Sequence, residues 1–266
     1  TYIEKDLAIN AEVEKLRLRA TSALMSGRRD IVVVASVSCI YGMGNPDVYK
    51  NSIIQISVGD VISRNQFLFK LVEILYSRTE TDFQRATFRV RGDTVDVYPP
   101  YAEHAYRITF FGDDIETLET IDPESGKRLE DVQDMLIYPA NLHLMPRDQF
   151  TKIIHEIQNE LMAQVKYFES IGKFLEGKRL LERVNFDLEM IRELGYCSGI
   201  ENYSRFFDRR APGTRPFCLL DYFPDDFLLF VDESHVTLSQ IRGMHGGDRS
   251  RKMSLAMSLL ITIELF

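Results

Sequence analysis

The chain has 266 residues, with 32 Lys and Arg against 40 Asp and Glu and a net charge of −8. With 45% hydrophobic and 27% charged residues it has the make-up of one or two folded domains rather than of a disordered chain. Three scattered cysteines, Cys39, Cys197 and Cys218, form no CxxC pair and no disulfide framework, and the five histidines form no HxxxH or Cys/His cluster. The cysteines read as structural and as suited to a reducing compartment. No apolar run is long enough for a membrane span, and residues 1–30 carry no signal-peptide pattern, so a cytoplasmic protein is expected. Thr1 is not a start methionine, which suggests a piece of something longer.

Asp6 can cap a helix reaching about Met25, with Leu7, Val13, Leu16, Ala20 and Leu24 as a rough apolar stripe and Gly27 as its stop. Ile31 to Ala35 is an unbroken, mostly β-branched apolar run, the pattern of a parallel strand buried on both faces. A loop with Gly42 and Gly44 follows. A helix is expected near 64–77. Thr87 to Arg91 and Thr94 to Tyr98 alternate about Gly92-Asp93, which predicts a hairpin, and Tyr106 to Phe111 before Gly112-Asp113-Asp114 predicts a further strand and turn. This stretch has the look of an inserted antiparallel module. Residues 71–137 hold 15 acidic and 7 basic side chains, so this segment alone matches the net charge of the chain. A phosphate backbone would be repelled there, which points to a protein partner or a plain solvated face.

Ile153, Ile154, Ile157, Leu161, Val165 and Phe168 fall at helical spacing. Gly172 and Gly177 are expected to end that helix, and a second runs from about Lys178 to Leu194 with Gly195 as its stop. The loop 195–205 places Tyr196 and Tyr203 beside Gly, Ser and Asn and ends at Arg205, a combination that suits nucleic acid as well as any ordered loop. Phe227 to Val231 is a second continuous apolar strand, and it runs into Asp232-Glu233.

An apolar strand ending in Asp-Glu is the arrangement in which one carboxylate holds Mg²⁺ and its neighbour orients the attacking water of a nucleotide hydrolase. Strands also end in acidic residues that only cap the next helix. The other half of a nucleotide site, GxxxxGK[ST], is absent: Gly126-Lys127, Gly172-Lys173 and Gly177-Lys178 are followed by Arg128, Phe174 and Arg179. Tyr2 and Lys5 pair an aromatic ring with a cation at the N-terminus, suited to DNA or to a helix cap. Arg242 to Lys252 is the most basic short stretch.

Four stretches occur in a telling order: Ala35 to Gly42, Thr87 to Gly92, Glu193 to Arg205 (ELGYCSGIENYSR) and Val231 to Thr237 (VDESHVT). Over about residues 1–252 the chain resembles the UvrB family, the damage-verifying subunits of bacterial nucleotide excision repair. The resemblance implies an α/β fold: part of a P-loop superfamily 2 helicase RecA-like core with an inserted α+β hairpin domain and a helical insertion. It implies RecA-like residues 1–52, a UvrA-interaction domain over 53–137, a helical insertion over 138–252 that returns to the Walker B box, and a non-matching tail at 253–266. Asp232 and Glu233 match the catalytic Walker B pair, with Asp232 toward Mg²⁺ carried by ATP. Tyr2 and Lys5 match the base of the hairpin inserted between DNA strands, Tyr196, Tyr203 and Arg205 join them as DNA-binding candidates, and Arg78, Arg89 and Arg91 match positions of the UvrA contact. The implied function is ATP-dependent DNA binding with limited strand opening within the UvrABC excinuclease, with UvrA, UvrC and damaged double-stranded DNA as partners. A non-hydrolysing UvrA-binding module, like the N-terminal part of the transcription–repair coupling factor, is the competing expectation.

Overall fold

A computed structural model describes residues 7–145, 149–211 and 214–243. The chain divides into two compact units, one built from 1–33 and 46–144, the other from 34–45 and 145–266.

In the first unit, α1 (Leu7–Met25) ends where Gly27 takes φ +78°, a left-handed turn that costs glycine nothing. The expected stripe is only partly the buried face: Ala20 and Leu24 are half-buried, and the side chain of Leu7 lies outside the described residues. Val13 and Leu16 are exposed, whereas Leu18, Thr21 and Ser22 are buried, with the Ser22 hydroxyl 3.1 Å from the Tyr49 hydroxyl on α2 (Pro46–Asn51). Thr21 can enter the core because its hydroxyl donates to the Leu18 carbonyl at 3.0 Å.

β1 (Ile54–Ser57) pairs antiparallel with β8 (Asp134–Ile137), so the two ends of this module meet. Between them lie α3 (Arg64–Glu73) and a six-stranded sheet of order β2-β3-β4-β5-β6-β7: β2 (Ser77–Arg78), β3 (Thr87–Arg91), β4 (Thr94–Tyr98), β5 (Ala105–Phe111), β6 (Asp114–Ile121) and β7 (Arg128–Val132). All neighbours are antiparallel except β2 and β3. Both predicted turns form with two residues, Gly92-Asp93 and Gly112-Asp113, each with its glycine at positive φ. Asp114 belongs to β6 rather than to the turn. The Ser63 hydroxyl caps α3 by accepting from the Gln66 amide, and the helix stops at Glu73, short of the expected 77, because Leu75 turns to φ +68° and Ser77 enters the sheet. Phe67 and Leu71 pack from α3 onto Phe88, Val95, Val97, Ile108, Phe110 and Leu118 as one apolar core.

In the second unit, α4 (Phe150–Ser170) and α5 (Phe174–Leu194) form a helical hairpin turned at Gly172, φ +76°. All six predicted apolar positions of α4 are buried. Gly177 does not end a helix. It lies buried in the first turns of α5, where an added Cβ would sit 3.4 Å from Phe168 Cβ and 3.7 Å from the Val165 carbonyl. A Cβ there would make ordinary van der Waals contact, while anything larger would run into α4. Gly195 ends α5 in the left-handed region, as its position predicts. The stretch beyond it is a 3₁₀ turn over Ile200–Tyr203 followed by α6 (Ser204–Phe207), rather than an open loop.

The two continuous apolar runs form no strand. Val32 and Val34 are 89% and 94% exposed, and Leu228 and Phe230 are 85% and 86% exposed. A strand exists only through its neighbours, and one buried on both faces needs a neighbour on each side. Among the described residues neither run has one, and no P-loop core is formed by them. No helix among the described residues is long and apolar enough to cross a membrane.

Candidate functional site

The sheet carries its charge chemistry on one row. Asp96 on β4 stands opposite Arg89 on β3 and Arg107 on β5, so the pairing register alone aligns the three. Arg89 Nε donates to Asp96 Oδ2 at 2.9 Å, and Arg107 Nε and Nη2 donate to Oδ1 and Oδ2 at 2.7 and 3.0 Å. Asp96 is buried, while the arginine side chains are 13% and 24% exposed. Arg107 also donates to the Gly126 carbonyl, and Arg89 lies 4.1 Å over the Phe83 ring. A buried carboxylate is tolerable only when so matched. Here the match exceeds neutrality by one positive charge, inside an acidic module. Arg78 on β2 and Arg91 at the end of β3 are exposed, so Arg89 is committed inward while the other two are offered outward.

The loop tyrosines part company. Tyr196 is half-exposed, but Tyr203 is fully buried, and its hydroxyl donates to the Asp187 carboxylate at 2.8 Å. Burial and that carboxylate together push the Tyr203 phenol far up, so it stays protonated. Arg183 Nε also contacts both Asp187 oxygens at 3.1 Å. Arg205 is ion-paired to Glu160, stacks 4.3 Å over Phe206 and is 12% exposed at its side chain. Tyr203 and Arg205 therefore hold the 200–207 turn against α4 and α5, and Tyr203 has no exposed ring face. Cys197 is buried beside them, and burial pushes its thiol up to about 12. Tyr2 and Lys5, and all of the 242–252 basic stretch beyond residue 243, lie outside the described residues.

Asp232 and Glu233 sit in an exposed turn ahead of a helix over 234–243. Asp232 Oδ1 accepts from the Glu233 amide at 2.9 Å, and the Asp232 carbonyl accepts from the Thr237 hydroxyl at 2.9 Å. Glu233 has φ +45°, its carbonyl accepts from the Val236 and Thr237 amides, and its carboxylate lies 3.4 Å from His235 Nδ1. The pair thus opens a helix, in keeping with the helix-capping alternative. Its oxygens are hard donors of the kind Mg²⁺ takes. Among the described residues, however, they belong to no group of three or more side chains placed to hold a metal ion, and the sequence contains no phosphate cradle. These residues fit one ligand of a metal–nucleotide site and not the whole of one.

The family pattern described as the UvrB interaction domain matches residues 54–143, and the pattern described as the UvrB third helical domain matches residues 148–209. A UvrABC system protein B of Cytophaga hutchinsonii is 62% identical over 96% of the chain. Its counterparts in Bacteroides fragilis and Leptospira biflexa are 60% and 52% identical, also over 96%. The chain belongs to the UvrB family. It spans about 38% of the length of these relatives. The UvrB interaction-domain match takes in Arg78, Arg89, Arg91, Asp96 and Arg107, and the UvrB third-helical-domain match takes in Asp187, Tyr196, Tyr203 and Arg205. Asp96 and Arg107 were not singled out from the sequence. Counting back from the Gly92-Asp93 turn sets Arg89 against Asp96, which is the signal that could have found the first of them.

Proposed function

We propose that this chain acts as part of a damage-verifying DNA-repair subunit, with the sheet module docking on UvrA. The observation that carries the reading is a pair of exposed arginines, Arg78 and Arg91, on a module otherwise rich in acid, with Arg89 held inward by Asp96. Outward arginines on a rigid sheet suit carboxylates of a protein partner, and the acidic surroundings disfavour DNA. Damaged duplex and UvrC are the further partners, with Tyr2, Lys5 and Tyr196 as DNA contacts. ATP with Mg²⁺ is the cofactor of the whole assembly: Asp232 would serve as a metal ligand and Glu233 would hold a water, provided a phosphate cradle is brought to them. The cytoplasm is the proposed compartment.

The test is capture of purified UvrA on the immobilised chain. Arg78→Glu with Arg91→Glu should weaken capture at least tenfold without lowering the melting temperature. Capture by the double variant equal to that of the parent chain would overturn the assignment.

A further inference from the structure

The tip of the α4–α5 hairpin concentrates apolar surface that nothing above uses. Tyr167, Ile171, Phe174 and Leu175 are 55%, 47%, 66% and 58% exposed. Single exposed apolar residues need no explanation, but four crowded about one turn mark a contact surface. The same tip is cationic. Lys166, Lys173, Lys178 and Arg179 stand there against Glu169, Glu176 and Glu182, the last 3.9 Å from Lys178 Nζ, in a chain whose overall charge is −8. Lys166, Lys178 and Arg179 are exposed. Residues four apart share a helix face, so Phe174 lies beside Lys178 and Leu175 beside Arg179, each apolar side chain one turn from a cation.

We infer that this tip binds single-stranded nucleic acid, with Tyr167 and Phe174 stacking on bases and Lys166 and Arg179 on the phosphates. Rings with a cation one turn away supply both halves of sequence-independent strand binding. An apolar protein partner would desolvate Lys166 and Arg179 without offering them a counter-charge. An anionic lipid surface that took up the four apolar side chains would draw Glu169 and Glu176 in with them, whereas a stacked base needs only a ring face. The inference rests on the DNA-repair reading, and it assigns the contact to the helical unit rather than to the acidic sheet module.

The experiment is fluorescence anisotropy of a labelled oligothymidine titrated with the 266-residue chain at several salt concentrations. Tyr167→Ala with Phe174→Ala should weaken binding roughly five- to hundredfold per base lost. Lys166→Glu with Arg179→Glu should weaken it and flatten the logarithmic salt dependence by about 0.7 per phosphate contact removed. Phe174→Trp should retain it. All four side chains are exposed, so melting temperatures should not move, which separates lost binding from lost folding. Unchanged oligothymidine binding in both double variants would overturn the inference. So would oligothymidine binding too weak to detect in a parent chain that still captures UvrA, which would leave the UvrA reading standing. Loss of phosphatidylserine-vesicle binding or of self-association in the aromatic variant, with oligothymidine binding intact, would assign the tip to a lipid or to a second copy and also overturn it.

Discussion

The Tyr203 hydroxyl donates to the Asp187 carboxylate at 2.8 Å, and both residues are buried. This bond ties the most distinctive stretch of the sequence, ELGYCSGIENYSR, to the middle of α5. With Arg183 Nε also within 3.1 Å of both its oxygens, the carboxylate has two partners. A segment that reads as a binding loop is thereby a folded support, with Tyr196 left at its surface.

Tyr203→Phe keeps the ring and deletes the donor. It should cost about 1–3 kcal/mol, because Asp187 is left buried with one partner fewer. Tyr203→Ala adds a cavity and should cost about 3–5 kcal/mol. Urea denaturation followed by circular dichroism gives both values. A Tyr203→Phe variant as stable as the parent would remove the supporting role.

Gly177 distinguishes space from propensity. A Cβ there meets Phe168 Cβ at 3.4 Å, an ordinary contact, and φ is not in the left-handed region. Gly177→Ala should therefore stabilise by up to about 1 kcal/mol through helix propensity. Gly177→Leu overfills the same approach and should destabilise by about 1–3 kcal/mol. Thermal melts of the pair should move in opposite directions.

Asp96 neutralises part of two guanidinium charges at 2.9 and 2.7 Å. Asp96→Ala leaves Arg89 and Arg107 facing each other and should cost about 3–5 kcal/mol. Arg91→Ala, at an exposed position, should stay within about 0.5 kcal/mol. Loss of UvrA capture in an Asp96 or Arg89 variant thus counts as evidence for a contact only beside an unchanged melting curve.

The Arg215 guanidinium donates twice to Asp221, at 2.7 and 2.6 Å, and holds its carboxyl down to about 2. A carboxyl whose folded value is depressed stabilises above its unfolded value near 3.9, and that contribution fades as pH falls from about 4 to 2. Arg215 is largely exposed, so solvent screening limits the contribution to about 1 kcal/mol at neutral pH. Asp221→Asn should remove this part of the acid-limb pH dependence, read from melting temperatures between pH 2 and 5.

ATP–Mg²⁺ titrated into the chain should give no binding heat, and Asp232→Asn should leave the chain's stability unchanged. The carboxylate pair is exposed and has no phosphate cradle in the sequence. Stoichiometric binding that disappears in Asp232→Asn would contradict this.

Local rules were enough for much of the fold. The Gly92-Asp93 and Gly112-Asp113 turns, the apolar face of α4 and the Gly195 stop were legible because each depends on residues within a few positions of one another. The charge map likewise separated the acidic sheet module before any fold was known. What required the tertiary structure was every property set by a distant neighbour. Val32 and Phe230 have strand composition but no strand, since a ladder is made by its partners. Gly177 reads as a helix stop and instead lies buried inside α5, facing Phe168 of α4. Tyr203 and Arg205 read as ligand contacts until Asp187 and Glu160, far off in sequence, claim them. A side chain's type limits the chemistry it can do, but whether a protein group or solvent meets it is decided by packing across the chain, which local sequence does not encode.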